Sequence, residues 1–243
     1  MNFRLFSRQL LHVLIFGVML TSTYSCSKKL HILTDTTAVG TSGQTNTYLA
    51  LGDSYTIGES VSVQERFPHQ AVKMLHDNGV EVSTPQIIAI TGWTTRNLLN
   101  ALDANPPQNN YSIVTLLIGV NNQYQGKSIT EYKIEFTTLL NRAIQYAGNK
   151  KNRVFVLSIP DYSVTPFAAN SDTARIAREI DAFNQVNHDV SIQSGVTWID
   201  ITGISRQAKT DPSLIAIDGL HPSGVQYRKW AELLAPLIKL AIQ

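Results

Sequence analysis

The chain of 243 residues contains a single cysteine, Cys26, so no internal disulfide can form, although an exported protein would be permitted one. It has no marked excess of charge. The formal net charge is +2, and Arg4, Arg8, Lys28 and Lys29 near the N-terminus contribute to it, which leaves the remainder near neutrality and gives no footprint for nucleic acid. It lacks a long hydrophobic run. The apolar stretch from Leu10 to Leu20 is about half of the ~20 residues needed to cross a bilayer. There is no internal repeat, and no set of residues at metal-ligand spacing. His69 and His76 could share a helical face, but no carboxylate or third imidazole joins them, so they read as surface or boundary residues, and neither a metal nor a cofactor is called for. His12, His31 and His188 read as equally ordinary.

What is there begins with a leader. "MNFRLFSRQLLHVLIFGVMLTSTYSC" places basic Arg4 and Arg8 before the apolar run and small or hydroxyl residues after it, the layout of a secretory signal peptide over residues 1–26. Its end, "TYSC", resembles a loose bacterial lipobox, with Thr23 where an aliphatic residue is usual. That resemblance implies lipidation of Cys26 and a membrane anchor in the bacterial envelope. The alternative is ordinary cleavage, with Cys26 incidental and the product periplasmic or secreted. Residues 27–46, rich in Thr, Ser and Gly toward their end, have little to bury and read as a flexible tether. The remaining stretch, 47–243, suits one domain with a single core, expected as a monomer.

Within that domain five apolar, β-branched runs recur: "TYLALG" (47–52), "QIIAIT" (86–91), "SIVTLLIG" (112–119), "RVFVLSIP" (153–160) and "VTWIDI" (196–201). They are continuous rather than alternating, as expected of strands covered on both faces. Helical patterns lie between them. Phe136, Leu139, Leu140, Ala143 and Ile144 form an apolar stripe behind a capping box of Ser128 and Glu131; Ile176, Ile180 and Phe183 form a second; Trp230, Leu233, Leu234 and Leu237 form a last one that contains Pro236. "PHQAVKML" and "TRNLLNAL" supply the earlier crossovers. Alternation of strand and helix predicts a parallel five-stranded sheet in a three-layer α/β/α sandwich.

In such folds ligands sit outside the carboxyl ends of the strands. Gly52, Asp53 and Ser54 follow the first strand, Gly92 the second, Gly119, Val120 and Asn121 the third, and "IDGLHPSG" comes after the fifth. A serine nucleophile needs a base within hydrogen-bond reach that is oriented by a third group. His221 suits the base, because Asp218 lies three residues earlier and could hold one ring nitrogen while the other faces Ser54. The backbone N–H groups of Ser54 and Gly92 and the amide of Asn121 could receive a developing oxyanion. Gly92 suits that role because the absence of Cβ lets a substrate approach the backbone. "GDSYT" has Thr56 where a G-x-S-x-G elbow has its second glycine, which argues against an α/β-hydrolase. Asp53 reads as a residue that fixes the turn through backbone hydrogen bonds, and Asp200, at the end of the fifth strand, likewise.

A Gly-Asp-Ser tripeptide alone would be only a capped turn. The four ordered blocks together resemble the SGNH or GDSL hydrolase superfamily of esterases and lipases: "GDS" at Ser54, Gly92, "GxN" at Gly119 and Asn121, and "DxxH" at Asp218 and His221. The resemblance spans Tyr48 to the C-terminus. It implies a flavodoxin-like fold, Ser54, Asp218 and His221 as a catalytic triad, and Ser54, Gly92 and Asn121 as the oxyanion hole. The chain departs from the usual third block, "GxND", by carrying Asn122 in place of Asp, which bears on local hydrogen bonding rather than on Asn121. The implied activity is hydrolysis of carboxylic esters through an acyl-enzyme. A carbohydrate acetylesterase, a lysophospholipase, a thioesterase and an inactive glycan-binding lipoprotein stand as alternatives. Substrates are therefore small-molecule, glycan or lipid esters. No hydrophobic lid of the interfacial-lipase sort is visible, which favours short acyl chains. The long loop "DYSVTPFAANSDTA" brings Tyr162, Pro166 and Phe167 to the active face, where with Trp93 and Tyr124 they could either line a pocket or simply pack.

Overall fold

The five apolar runs form strands β1 (Tyr48–Gly52), β2 (Gln86–Ala89), β3 (Ile113–Leu117), β4 (Val154–Leu157) and β5 (Thr197–Ile199). They associate in the order β2-β1-β3-β4-β5 with every pair parallel. The computed structural model describes residues 45–243. The segments expected as a leader (1–26, with Cys26) and as a tether, as far as residue 44, lie outside the described residues. Asn46 already joins the fold through a bridge to Val82.

The eight α-helices among the described residues are α1 (Ser54–Ile57), α2 (Phe67–Asp77), α3 (Thr95–Ala104), α4 (Val120–Tyr124), α5 (Ile129–Tyr146), α6 (Thr173–Ser194), α7 (Thr202–Arg206) and α8 (Gly224–Ile242). α2 and α8 pack together, and α5 packs against α3 and α6, which makes the two helical layers over the sheet. Ser128 caps α5, its hydroxyl accepting from Glu131 N at 3.1 Å; among the described residues the return bond from the Glu131 carboxylate is not formed, so the motif is a simple cap. α8 continues through Pro236. No helix among the described residues is long and apolar enough to cross a membrane.

Burial follows position in the sheet. β1, β3 and β4 are buried at every residue, whereas the edge strands β2 and β5 are only partly covered, with Gln86 exposed and Trp198 half-buried. Continuous apolar runs thus mark the three inner strands faithfully, while the two edge strands are less enclosed than the same pattern suggested. Beneath the inner strands, Phe67, Tyr227 and Trp230 form an aromatic group, with ring centroids 5.1–6.4 Å apart, that joins α2 to α8. The fold is the α/β/α sandwich expected from the pattern.

Candidate active site

Strand register places the site. Gly52 lies level with Ala89 of β2 on one side and Leu117 of β3 on the other, so the segments leaving these three strands start side by side. A Cβ on Gly52 would collide with Thr56 Oγ1 and the Leu117 carbonyl, which is why the strand must end on glycine before it turns. The turn itself is closed by Asp53, whose Oδ1 accepts from Tyr55 N at 3.0 Å as the N-cap of α1, in agreement with its expected structural role. Asp53 is fully buried, and burial pushes its carboxyl up to about 7. Ser54, the first residue of α1, is 4% exposed. Asp200 closes its own turn in the same way, accepting from Thr202 N at 2.9 Å.

Asn121 stands on α4, whose cap is Gly119. Its Nδ2 donates to the Trp93 carbonyl at 3.0 Å, which anchors the amide to the segment that follows β2. Gly92 belongs to that segment, and its carbonyl accepts from Gln125 Nε2 at 3.3 Å. Its φ of +83° is a left-handed conformation that side chains resist, and an added methyl group would project into open space beside the backbone. Gly92 is not part of the cavity wall described below.

Asp218 and His221 arrive by a route the strand pattern did not show. Between β5 and this loop lie α7 and two 3₁₀ turns, Gln207–Lys209 and Pro212–Leu214, so the loop does not follow β5 directly. It reaches the site as a tight hairpin ahead of α8, with Ala216 N donating to His221 O at 2.8 Å and Ser223 N to Leu214 O at 2.9 Å. α8 is docked on α2, partly through Gln70 Nε2 to Gly224 O at 2.9 Å, and this carries the hairpin back to the end of β1.

Asp218 Oδ2 lies 2.6 Å from His221 Nδ1, and an ionised carboxylate can only accept, so Nδ1 carries the proton and Nε2 is left basic. Asp218 also accepts from Leu220 N at 2.9 Å, His221 N at 3.0 Å and Ser60 Oγ at 2.7 Å. Partial burial works against its charge, but the hydrogen bonds from Ser60, His221 and the two backbone N–H groups outweigh it and hold the carboxyl well below the usual carboxylate range. The His221 ring packs against that of Tyr55, with centroids 5.2 Å apart.

Ser54, Asn121 and His221 line one cavity of about 110 Å³ together with Tyr55, Val120, Tyr124, Tyr162, Phe167 and Leu220. Among the described residues no hydrogen bond joins Ser54 Oγ to the His221 ring; such contacts often close only around substrate. Tyr124, Tyr162 and Phe167 form a mutual aromatic triangle with centroids 6.0–6.2 Å apart, and the same three border a second cleft of about 440 Å³. Of the aromatic residues open to either reading, these three line the pocket. Trp93 packs on the core instead, and Pro166 sits against Gly219 while Phe167 N donates to Gly219 O at 3.0 Å, tying this loop to the histidine hairpin.

Two further side chains support the site from outside the cavity. Asn122 faces away from the cavity: its Oδ1 accepts from Thr95 N at 3.0 Å and its Nδ2 donates to Thr95 Oγ1 at 2.7 Å, while the Thr95 hydroxyl bonds buried Glu135. The amide therefore joins α4 to the start of α3, supplying both a donor and an acceptor where a carboxylate could only accept. Ser60, which bonds Asp218, carried no signal beyond being a hydroxyl six residues after Ser54.

The model of the GDSL-like lipase/acylhydrolase family matches residues 50–229. Among curated proteins there is no match. Solved structures similar to this chain include TesA (19% identity, 81% of this chain and 99% of that one, TM-score 0.64). They also include the psychrotrophic esterase EstA from Pseudoalteromonas sp., inhibited by monoethylphosphonate (18%, 80% and 97%, TM-score 0.61). A third is a mutant of Axe2, an acetyl-xylooligosaccharide esterase from Geobacillus Stearmophilus (18%, 79% and 94%, TM-score 0.60). At these identities the likeness is one of fold.

Proposed function

The chain belongs to the GDSL-like lipase/acylhydrolase family and is an ester-bond hydrolase, and on that premise we propose that it is a serine esterase acting on short-chain acyl esters through an acyl-enzyme. The observation that carries this reading is the pairing of His221 Nδ1 with Asp218 at 2.6 Å on the wall of a cavity shared with Ser54 and Asn121.

In this reading Ser54 Oγ attacks the ester carbonyl carbon while its proton passes to His221 Nε2. Negative charge grows on the carbonyl oxygen and is met by the Asn121 amide and the backbone N–H groups of Ser54 and Gly92. Asp218 stays ionised throughout and holds the imidazolium. Collapse of the tetrahedral species breaks the bond to the alcohol oxygen, which takes the proton from His221 and leaves as the alcohol. A water, deprotonated by His221, then attacks the Ser54 ester; the acyl–Oγ bond breaks, His221 returns the proton to Ser54 Oγ, and the acid is released.

Acyl length follows from volume. A cavity of about 110 Å³ is small beside the ~300–1,000 Å³ of pockets that enclose drug-sized ligands, so it suits a short acyl group and leaves the alcohol portion outside. The test is turnover of a graded series of acyl esters, with a serine-reactive phosphonate as label. Short esters should be cleaved fastest, and the label should sit on Ser54 and vanish in Ser54→Ala. Labelling that persists in that variant overturns the assignment.

Cys26 follows the apolar run and precedes a tether, and the reading extends to a lipidated Cys26 that anchors the enzyme to a bacterial envelope membrane. Mass spectrometry of the mature N-terminus should find acylated Cys26; an unmodified terminus there or later overturns it.

A further inference from the structure

We propose that Ser60 is a positioning residue of the acid–base pair: its hydroxyl donates to the Asp218 oxygen that also receives the His221 Nδ1 proton, and so sets how firmly that carboxylate holds the imidazole. The proposal rests on the reading of Ser54, His221 and Asp218 as the catalytic triad.

The two bonds to Asp218 Oδ2 are 2.7 Å from Ser60 Oγ and 2.6 Å from His221 Nδ1. Oδ1 meanwhile takes the N–H groups of Leu220 and His221. Four donors thus surround the carboxylate, and three belong to its own hairpin. Only Ser60 comes from elsewhere, 158 residues away and directly downstream of α1, which begins with Ser54. It is a direct tie between the segment that carries the nucleophile and the hairpin that carries the base.

The backbone at Ser60 supports a purpose for that side chain. Its φ is +63°, and the other non-glycine residues at positive φ among the described residues are Asn110 and Asn149, a residue type that tolerates this region. Glycine would occupy the position without steric cost, as it does two residues earlier at Gly58. Serine is held there against its preference, and the conformation aims its hydroxyl at Asp218. The Tyr55 ring packs beside His221, and the buried phenols of Tyr55 and Tyr227 lie within the field of Asp218 without hydrogen-bonding to it.

A donor on a carboxylate disperses its negative charge and weakens its pull on the imidazole proton. Without Ser60, Asp218 should hold the imidazolium more tightly, so His221 becomes a free base only at higher pH, and the hairpin loses its tie to α1. Because the Asp218 side chain is 27% exposed, water can partly replace the hydroxyl, and the effect is moderate.

Ser60→Gly and Ser60→Ala in the full chain test this. Both lack the hydroxyl, but only glycine relieves the backbone. Both should lower kcat/KM for a short ester at neutral pH by ~3–10-fold and move the acidic limb of its pH profile upward. The midpoint of the His221 imidazole titration, followed by NMR, should rise with it in both. An unmoved midpoint overturns the proposal, as does an effect confined to Ser60→Ala, which would assign the change to backbone strain. If the wild-type protein cleaves no ester, the esterase reading fails, while the NMR midpoint still decides the role of Ser60.

Discussion

The turn that carries Ser54 and the hairpin that carries His221 meet at one cavity but are held by different means. The turn is buried and local: Gly52 is pinned between β3 and α1, Asp53 caps the next residues, and the bonds that close it span two to five positions. The hairpin is open to solvent at its tip, where Ile217 is 99% exposed, and depends on distant partners: Ser60, the Phe167 N–H, and the docking of α8 on α2. Ser54 is thus set by strand geometry, which does not yield, whereas His221 is set by tertiary bonds that can be removed one at a time. In the proposed mechanism the difference gives rigidity to the group that forms a covalent bond and adjustability to the group that moves a proton.

The sharpest way to break this comparison is to remove the proposed base. His221→Ala should lower kcat by ~10⁴–10⁶, and Asp218→Ala by a smaller factor, because the remaining ring can still accept a proton when its orienting partner is gone. Steady-state turnover of a short ester checks both. A loss in Asp218→Ala as large as in His221→Ala would mean that the hairpin collapses without its carboxylate.

The next test stays on the sheet side. Asn121→Ala should lower kcat by ~10²–10³ with little change in KM, because its amide gains strength only as charge develops. Asn122→Ala should leave kcat within a few-fold and instead reduce unfolding stability by about 1–3 kcal/mol, since it strands the buried partners at Thr95. The reverse pattern in kinetics and denaturant melts would overturn the division between the two asparagines.

Asp53→Asn probes what the rigid turn costs. With a folded-state value raised to about 7 by burial, this carboxyl favours the folded state while protonated, so its contribution is full below the unfolded value of about 4 and is lost as pH rises toward and through 7. The amide has no such dependence and keeps an acceptor for Tyr55 N. The variant should therefore gain stability relative to wild type between pH 4 and 8, on the order of 1–3 kcal/mol. Parallel melting profiles across that range would show that Asp53 ionises without penalty.

The smallest effect is expected at the aromatic triangle. Phe167→Ala should join the 110 Å³ cavity to the neighbouring cleft of 440 Å³ and raise the preference for longer acyl chains by ~10-fold, read as a ratio of kcat/KM values along an ester series. An unchanged ratio would place the acyl group elsewhere in the cavity.

The inner strands, the main crossover helices and the three blocks at the ends of β1, β2 and β3 were legible in the chain because each is a local pattern: apolar continuity, helical spacing, or a turn directly after a strand. Parallel pairing then brings the three strand ends level without any further information. Asp218 and His221 were legible as a pair because three residues separate them, but the route of their hairpin to the site was not, since it depends on α8 packing against α2. Whether Tyr124, Tyr162 and Phe167 line the pocket while Trp93 packs on the core, whether Asn122 points into the scaffold, and whether Ser60 reaches Asp218 were decisions of the tertiary structure alone. A sequence records spacing along the chain, and these contacts are set by the meeting of surfaces far apart in it, 158 residues in the case of Ser60 and Asp218.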